Sequence, residues 1–352
     1  MAKIRLNKYG IEETKNRFKI RGVVFGTKSQ NFYKDESNKR SISFGVNINK
    51  NKPIYCRLQG FTKDAVYYSN NDRTKPETIQ VKWANRMKAP KEGFEVIGVR
   101  IGLEQDTEGK NIVKSFAEYD ATQYISKQLK DGDSVLVTGK IDPYIANDGT
   151  VKKNYVIEQI YRTSAIDFDA DDFVEKATFT QTLMFTDIEK ETDADGKNTG
   201  RFIVTGNNVA YQNICPVNFI IDENHPKWAN NVKKNIKPFN SVDIAGYINI
   251  ATNITEVENE DAEGWGSFDK FADTNKRKDG PNVVEFIIGG IDPSSINEDR
   301  YDEKSVMDAI KKMKSEREAR KNFGEKPKGN IDIDPSDDWG DSDFGDDEDN
   351  PW

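Results

Sequence analysis

Residues 134–141 read Ser134-Val135-Leu136-Val137-Thr138-Gly139-Lys140-Ile141, and 107 positions later residues 241–248 read Ser241-Val242-Asp243-Ile244-Ala245-Gly246-Tyr247-Ile248. Both alternate apolar with small or polar residues, the period-2 pattern of a strand with one buried face. Each is preceded by a short amphipathic stretch with helical spacing, Ala117–Leu129 and Pro226–Ile236. Upstream, Arg40–Ile48 is similar to Arg201–Val209, and Val23-Val24-Phe25 to Leu183-Met184-Phe185, at offsets of 161 and 160. The chain therefore repeats itself. The offsets leave about 53 extra residues in the first copy, near Thr62–Ser115. The second copy has its own excursion, Thr255–Pro281, before a strand at Asn282–Gly289.

The other strands of the first copy read in the same way. Ser41–Ile48 sets Ile42, Phe44, Val46 and Ile48 on one face. Pro53–Phe61 buries Ile54, Cys56 and Leu58 and turns Tyr55, Arg57, Gln59 and Phe61 the other way. Asn147-Asp148-Gly149 signals a hairpin into Val151–Tyr161. The aliphatic residues are 33 Ile and 22 Val against six Leu, a balance that favours sheet over helix. Each copy thus reads β-β-β-α-β-β, the order of the five-stranded Greek-key barrel called the OB-fold. The expected fold is mainly β: two tandem OB-like five-stranded β-barrels, then a helix and a disordered acidic tail. A different small β-barrel is the alternative. The expected organisation is a basic OB-like domain at 1–165 with an insertion at about 62–115, and a second OB-like domain at 166–296. A solvent-facing helix and linker follow at 297–330, and the disordered tail occupies 331–352.

Composition narrows the chemistry. The single histidine, His225, precedes Pro226 at a helix start, which leaves Ser-His-Asp, Cys-His and zinc schemes without their parts. Cys56 and Cys215 stand alone, so neither a disulfide framework nor a thiolate metal site is expected. No metal and no cofactor is expected. No apolar run approaches the roughly 20 residues of a membrane span, and the first residues lack a signal-peptide hydrophobic segment. The expected setting is cytoplasmic, with no membrane partner.

The net charge of −8 conceals a strong asymmetry. Residues 1–165 carry 30 Lys+Arg against 19 Asp+Glu, net +11, whereas residues 166–330 carry 22 against 31, net −9. Residues 331–352 carry ten acids and no base. A cationic front module suits a polyanion. Single-stranded nucleic acid needs cations for its phosphates and aromatic faces for its bases. The candidate contacts are Lys28, Phe32, Tyr33, Lys34, Lys39 and Arg40 around the first loop, with Tyr55 and Arg57 on the third strand. Arg73, Lys82, Trp83, Arg86 and Lys88 come from the insertion, and Lys152 and Lys153 from the last hairpin. Gly45 leaves room for a close backbone approach. Phe32 and Tyr33 fit equally the closing of a barrel end, and Trp83 fits equally an anchor for the insertion. The second copy is less suited, because its loop Asp187–Asn198 carries Glu189, Glu191, Asp193 and Asp195. Arg201, Tyr211, Trp265 and the run Lys276-Arg277-Lys278 offer at most a secondary contact there.

The tail cannot bury a core, yet it holds Trp339, Phe344 and Trp352 among its acids. Acids alternating with aromatics suit docking onto a basic groove with an apolar pocket. A basic OB-type domain, a linker and the ending Asp346-Asp347-Glu348-Asp349-Asn350-Pro351-Trp352 together resemble bacteriophage-type single-stranded DNA-binding proteins. Members of that class typically close such a tail with Pro-Phe or Phe; here it closes with Pro-Trp. The resemblance implies a non-enzymatic protein that coats single-stranded DNA in phage-type replication and recombination. It also implies that the tail recruits replication and recombination proteins and competes with DNA for the basic groove. The alternatives are a protein–protein adaptor or virion component, and a Mg²⁺-dependent nuclease built on scattered carboxylates.

Overall fold

The computed structural model describes residues 5–70, 72, 74–146, 149–193, 195–256 and 277–322, with side chains described to residue 251 and again over 283–319. Arg73, Trp265, Lys276 and the whole tail, including Trp339, Phe344, Asp346, Asp347, Glu348, Asp349, Pro351 and Trp352, lie outside the described residues.

The chain is mainly β. Strands β1 (Asn16–Phe25), β2 (Tyr33–Asp35), β3 (Lys39–Asn49) and β4 (Lys52–Phe61) open it. The segment read as an insertion forms β5 (Ala65–Ser69), β6 (Thr78–Lys82), β7 (Glu95–Val96), β8 (Val99–Gln105) and β9 (Asn111–Phe116). Then come α1 (Glu118–Gln128), β10 (Ser134–Ile145) and β11 (Val151–Arg162). The second copy comprises β12 (Lys176–Thr192), β13 (Asn198–Val209), β14 (Ile214–Ile221), α2 (Pro226–Asn235), β15 (Ser241–Glu256) and β16 (Arg277–Asn297). Helix α3 (Glu303–Asn322) ends the described chain.

The repeat seen in the sequence is a repeat of topology. In the first copy β1 pairs with β3, β3 with β4, and β4 in parallel with β11. Strand β11 pairs with β10 and β10 with β1, so the pairings close on themselves. The second copy follows the same circuit, β12–β13–β14–β16–β15–β12, again with the third and last strands parallel. Inside the first circuit lie Phe18, Ile20, Ile42, Phe44, Val46, Ile48, Ile54, Cys56 and Leu58, all buried. Phe179, Phe219 and Phe286 fill the second, with ring centroids 5.1 to 5.7 Å apart.

The two copies share one sheet. Strand β1 lies between β10 and β12, and its antiparallel pairing with β12 runs from Asn16↔Gln181 to Arg21↔Lys176. Of the insertion, β5, β6 and β7 form a separate three-stranded sheet, while β8 joins β11 and pairs with β9.

Helix α3 corrects the solvent-facing expectation. Val306, Ala309 and Met313 are buried, with Ile310 half-buried, against Ile11, Met184, Val209 and Ile214. Their i, i+3, i+4, i+7 spacing makes an apolar stripe, and the chain supplies a surface for it. Glu316 closes the contact by accepting from Lys8 Nζ at 3.1 Å and Tyr9 Oη at 3.0 Å.

Candidate nucleic-acid interface

The outward face of the first circuit is organised by a row of three residues. Cross-strand register places Phe25 opposite Gly45 and Gly45 opposite Tyr55, on β1, β3 and β4. A Cβ at Gly45 would stand 2.1 Å from the Phe25 ring. The space that glycine leaves is therefore occupied by Phe25, which corrects the expectation of a close ligand backbone there. The Phe25 ring meets Tyr55 edge-on, with centroids 5.8 Å apart and an interplanar angle of 68°. Tyr55 stays 58% exposed. Rings meeting in this way fix one another's orientation, so Tyr55 is a braced aromatic surface. Alternation alone does not single out Phe25; it is the register of β1, β3 and β4 that sets Gly45 between it and Tyr55.

Two residues along β4, Arg57 shares Tyr55's face but is largely buried. Its Nη1 donates to Asn154 Oδ1 and its Nη2 to Gln59 Oε1, each at 3.1 Å. Burial pulls its pKa down, against the charges of Tyr144 and Asp142. Gln59 itself is 1% exposed, so the outward expectation for it fails beneath the guanidinium. The side chain of Arg57 is fixed in place with its polar edge spoken for.

The last hairpin departs further from expectation. Lys152 is exposed, but Lys153 lies with Nζ 4.7 Å from the centroid of Phe286 in the second copy, and burial lowers its pKa. Near it Cys215 Sγ donates to the Pro143 carbonyl at 3.6 Å. This hairpin thus packs against the second copy, and Lys153 is a packing residue there.

Around α1 the expected contacts are likewise engaged within the protein. Arg86 makes a two-pronged pair with Asp120, Nε to Oδ2 at 2.7 Å and Nη2 to Oδ1 at 3.1 Å. Its guanidinium lies 4.4 Å from the Trp83 ring centroid, and Trp83 meets Tyr119 edge-on at 5.7 Å. Arg40 covers Tyr119 at 4.1 Å while its Nε donates to Asp35 at 2.9 Å. Tyr33 Oη also donates to Asp35, at 3.1 Å, and burial together with that bond pushes its pKa to about 12. Trp83 is therefore the anchor of the small sheet on α1, one of the two roles its sequence allowed. Phe32, 8% exposed, packs edge-on against Phe44 at 6.4 Å and closes the core.

Of the expected cations, Lys28, Lys82, Lys88 and Lys152 are exposed, and Lys34 and Lys39 are partly exposed. Lys28 sits on a loop tied to the α1–β10 turn, where Thr27 N donates to Asp131 Oδ1 at 2.7 Å. In the second copy Arg201 is held by Glu191 at 3.2 Å and Glu285 at 2.7 Å. His225 stacks flat on Trp228 at 3.9 Å. Among the described residues no three His, Cys, Asp or Glu side chains converge on a metal-sized site.

A protein-family model described as YorF matches residues 69–326. No curated protein matches the chain. Among solved structures, the wild-type single-stranded DNA binding protein from Thermus aquaticus aligns with a TM-score of 0.37 at 7% identity, covering 80% of this chain and 93% of that one. A deletion mutant of the same protein aligns with a TM-score of 0.36 at 6% identity, covering 80% and 94%. At these scores the likeness transfers neither fold nor function.

Proposed function

The chain belongs to the YorF family, and we propose that it is a non-enzymatic protein that coats single-stranded DNA. The observation that carries this reading is the braced, exposed Tyr55 on the outward face of the first circuit, in the half of the chain with net charge +11. Stacking on such a ring is worth about 1–3 kcal/mol per base and tolerates any base. Lys28, Lys34, Lys39, Lys82, Lys88 and Lys152 would supply phosphate contacts, and those contacts make binding fall with salt. Arg57 would act by holding the face in shape. Residues 1–165 then serve as the primary binding module and 166–296 as the second. In this reading the acidic tail recruits replication and recombination proteins through its aromatics, in phage-type replication within the host cytoplasm.

The test is a titration of full-length protein with labelled oligo-dT, oligo-U and matched duplex at two salt concentrations. Tight, salt-sensitive binding to oligo-dT with weak duplex binding supports the reading. Absence of binding to every nucleic acid at low salt overturns it in favour of a protein–protein adaptor or virion component. Cleavage of the oligonucleotide with Mg²⁺ that stops with EDTA would instead establish a nuclease.

A further inference from the structure

The seam between the two copies carries a second cationic surface. Along β1 the buried residues Phe18, Ile20 and Val24 alternate with Arg17, Lys19, Arg21 and Val23, which face outward. Register continues that face onto both neighbours in three rows: Leu136–Arg21–Lys176, Thr138–Lys19–Thr178 and Lys140–Arg17–Thr180. Five of these nine positions are cations and none is acidic. One strand further, Thr178 stands opposite Tyr247, which is 46% exposed.

Two of the directly opposed pairs, Arg17↔Lys140 and Arg21↔Lys176, bear like charge. Like charges facing one another across strands destabilise a sheet. The Arg17↔Lys140 opposition is relieved by an acid, whereas Arg21↔Lys176 has no ion-paired acid among the described residues, and a local rule broken in this way marks a surface with another role. Glu158 pairs with Arg17, and Arg21 Nη2 donates to Ser164 Oγ at 3.3 Å. Among the described residues no other acid forms an ion pair with the five; Asp142, two residues along β10 from Lys140, acts on it through space only. The nearby connecting segment does not neutralise them through Asp169 and Glu175, which pair with Lys50 and Lys52 on the β3–β4 turn.

We propose that this seam is a second contact for the same nucleic-acid strand, with phosphates on Lys19, Lys140, Lys176 and Arg21 and a base against Tyr247. The proposal rests on the single-strand reading of the first circuit. It gives the second copy a direct share in the ligand. Phe25 and Arg21 lie on one face of β1, about 13 Å apart at roughly 3.3 Å per residue, so the braced aromatic pair and the seam adjoin along one strand.

The test compares full-length wild type, Tyr55→Ala and Lys19→Glu/Lys176→Glu in oligo-dT titrations over a range of salt. The charge-reversed variant is expected to lose affinity about tenfold or more, with a log–log salt slope shallower by about 0.7 per lost phosphate contact. Its Tm should hold or rise, because Glu at position 176 faces Arg21 and removes a like-charge pair. Should Tm fall, Lys19→Gln/Lys176→Gln gives the reading. Affinity and slope equal to wild type, while Tyr55→Ala weakens binding, would overturn the seam contact alone. A wild type that binds no nucleic acid would overturn both readings. Photocrosslinking of an iodouracil-containing oligonucleotide to Tyr247 would support the seam, and crosslinks confined to the first copy would oppose it.

Discussion

The ring of Phe25 on β1 lies across Gly45 and meets Tyr55 on β4 edge-on, centroids 5.8 Å apart. One missing Cβ lets two aromatics from non-adjacent strands touch over the strand between them. Tyr55→Ala removes little buried area and should leave stability nearly unchanged, yet cost about 1–3 kcal/mol of oligo-dT binding if one base stacks there. Gly45→Ala should weaken binding by displacing Phe25, and also cost about 1–3 kcal/mol of stability through overpacking. Titration and thermal unfolding of the two variants separate the effects.

Helix α3 is part of the folded body. Met313, buried against Ile214 with its sulfur 3.4 Å from the Ile214 amide nitrogen, should cost about 2 kcal/mol or more when truncated to Ala. Urea unfolding of Met313→Ala measures this, and an unchanged midpoint would contradict the docking of the helix.

The Arg86–Asp120 pair holds the three-stranded sheet on α1. Asp120→Ala leaves the guanidinium with the Trp83 carbonyl as its remaining acceptor among the bonds described. Hydrogen exchange over residues 65–96 should quicken, while oligo-dT affinity changes little. Loss of affinity without faster exchange would return Arg86 and Trp83 to the ligand surface.

Asp142 makes stability depend on pH with a definite sign. Burial raises its carboxyl above the ordinary 3.8, against the pull of Lys140, Arg57 and Arg5. At low pH both folded and unfolded forms are protonated and the residue is neutral to folding. As pH rises through the window between the ordinary value and the raised one, the unfolded chain ionises first and stability is lost. Asp142→Asn should therefore match wild type at acidic pH and exceed it near neutrality, as thermal unfolding across pH will show. The opposite sign would mean that its cationic neighbours outweigh burial.

Deletion of residues 331–352 removes ten acids. Under the proposed function the truncated chain should bind oligo-dT at least as tightly as the full chain and fail to retain partner proteins. Weaker binding after truncation would exclude competition between tail and DNA.

Much of the architecture was legible because strand pattern is local. The alternation at 134–141 and 241–248, and the helices before them, depend on which neighbouring residues face in or out. Repetition of that pattern was enough to order the strands of both circuits. Tyr55 could be turned outward from sequence for the same reason. Charge asymmetry also survives folding as a property of composition. The surroundings of each outward residue were not legible in this way. Arg57 faces outward by pattern and is held by Asn154, 97 positions away, while Lys153 meets Phe286 and the apolar stripe of α3 meets Ile11, Met184, Val209 and Ile214, partners that no local pattern names. The seam depends on β1 pairing with β12, whose residues stand some 160 positions away. Period-2 alternation names the two faces of a strand, but only long-range pairing decides which strands lie side by side and what lies over them. That is why Lys19 reads as an ordinary surface lysine in the sequence and as the centre of a cationic array in the fold.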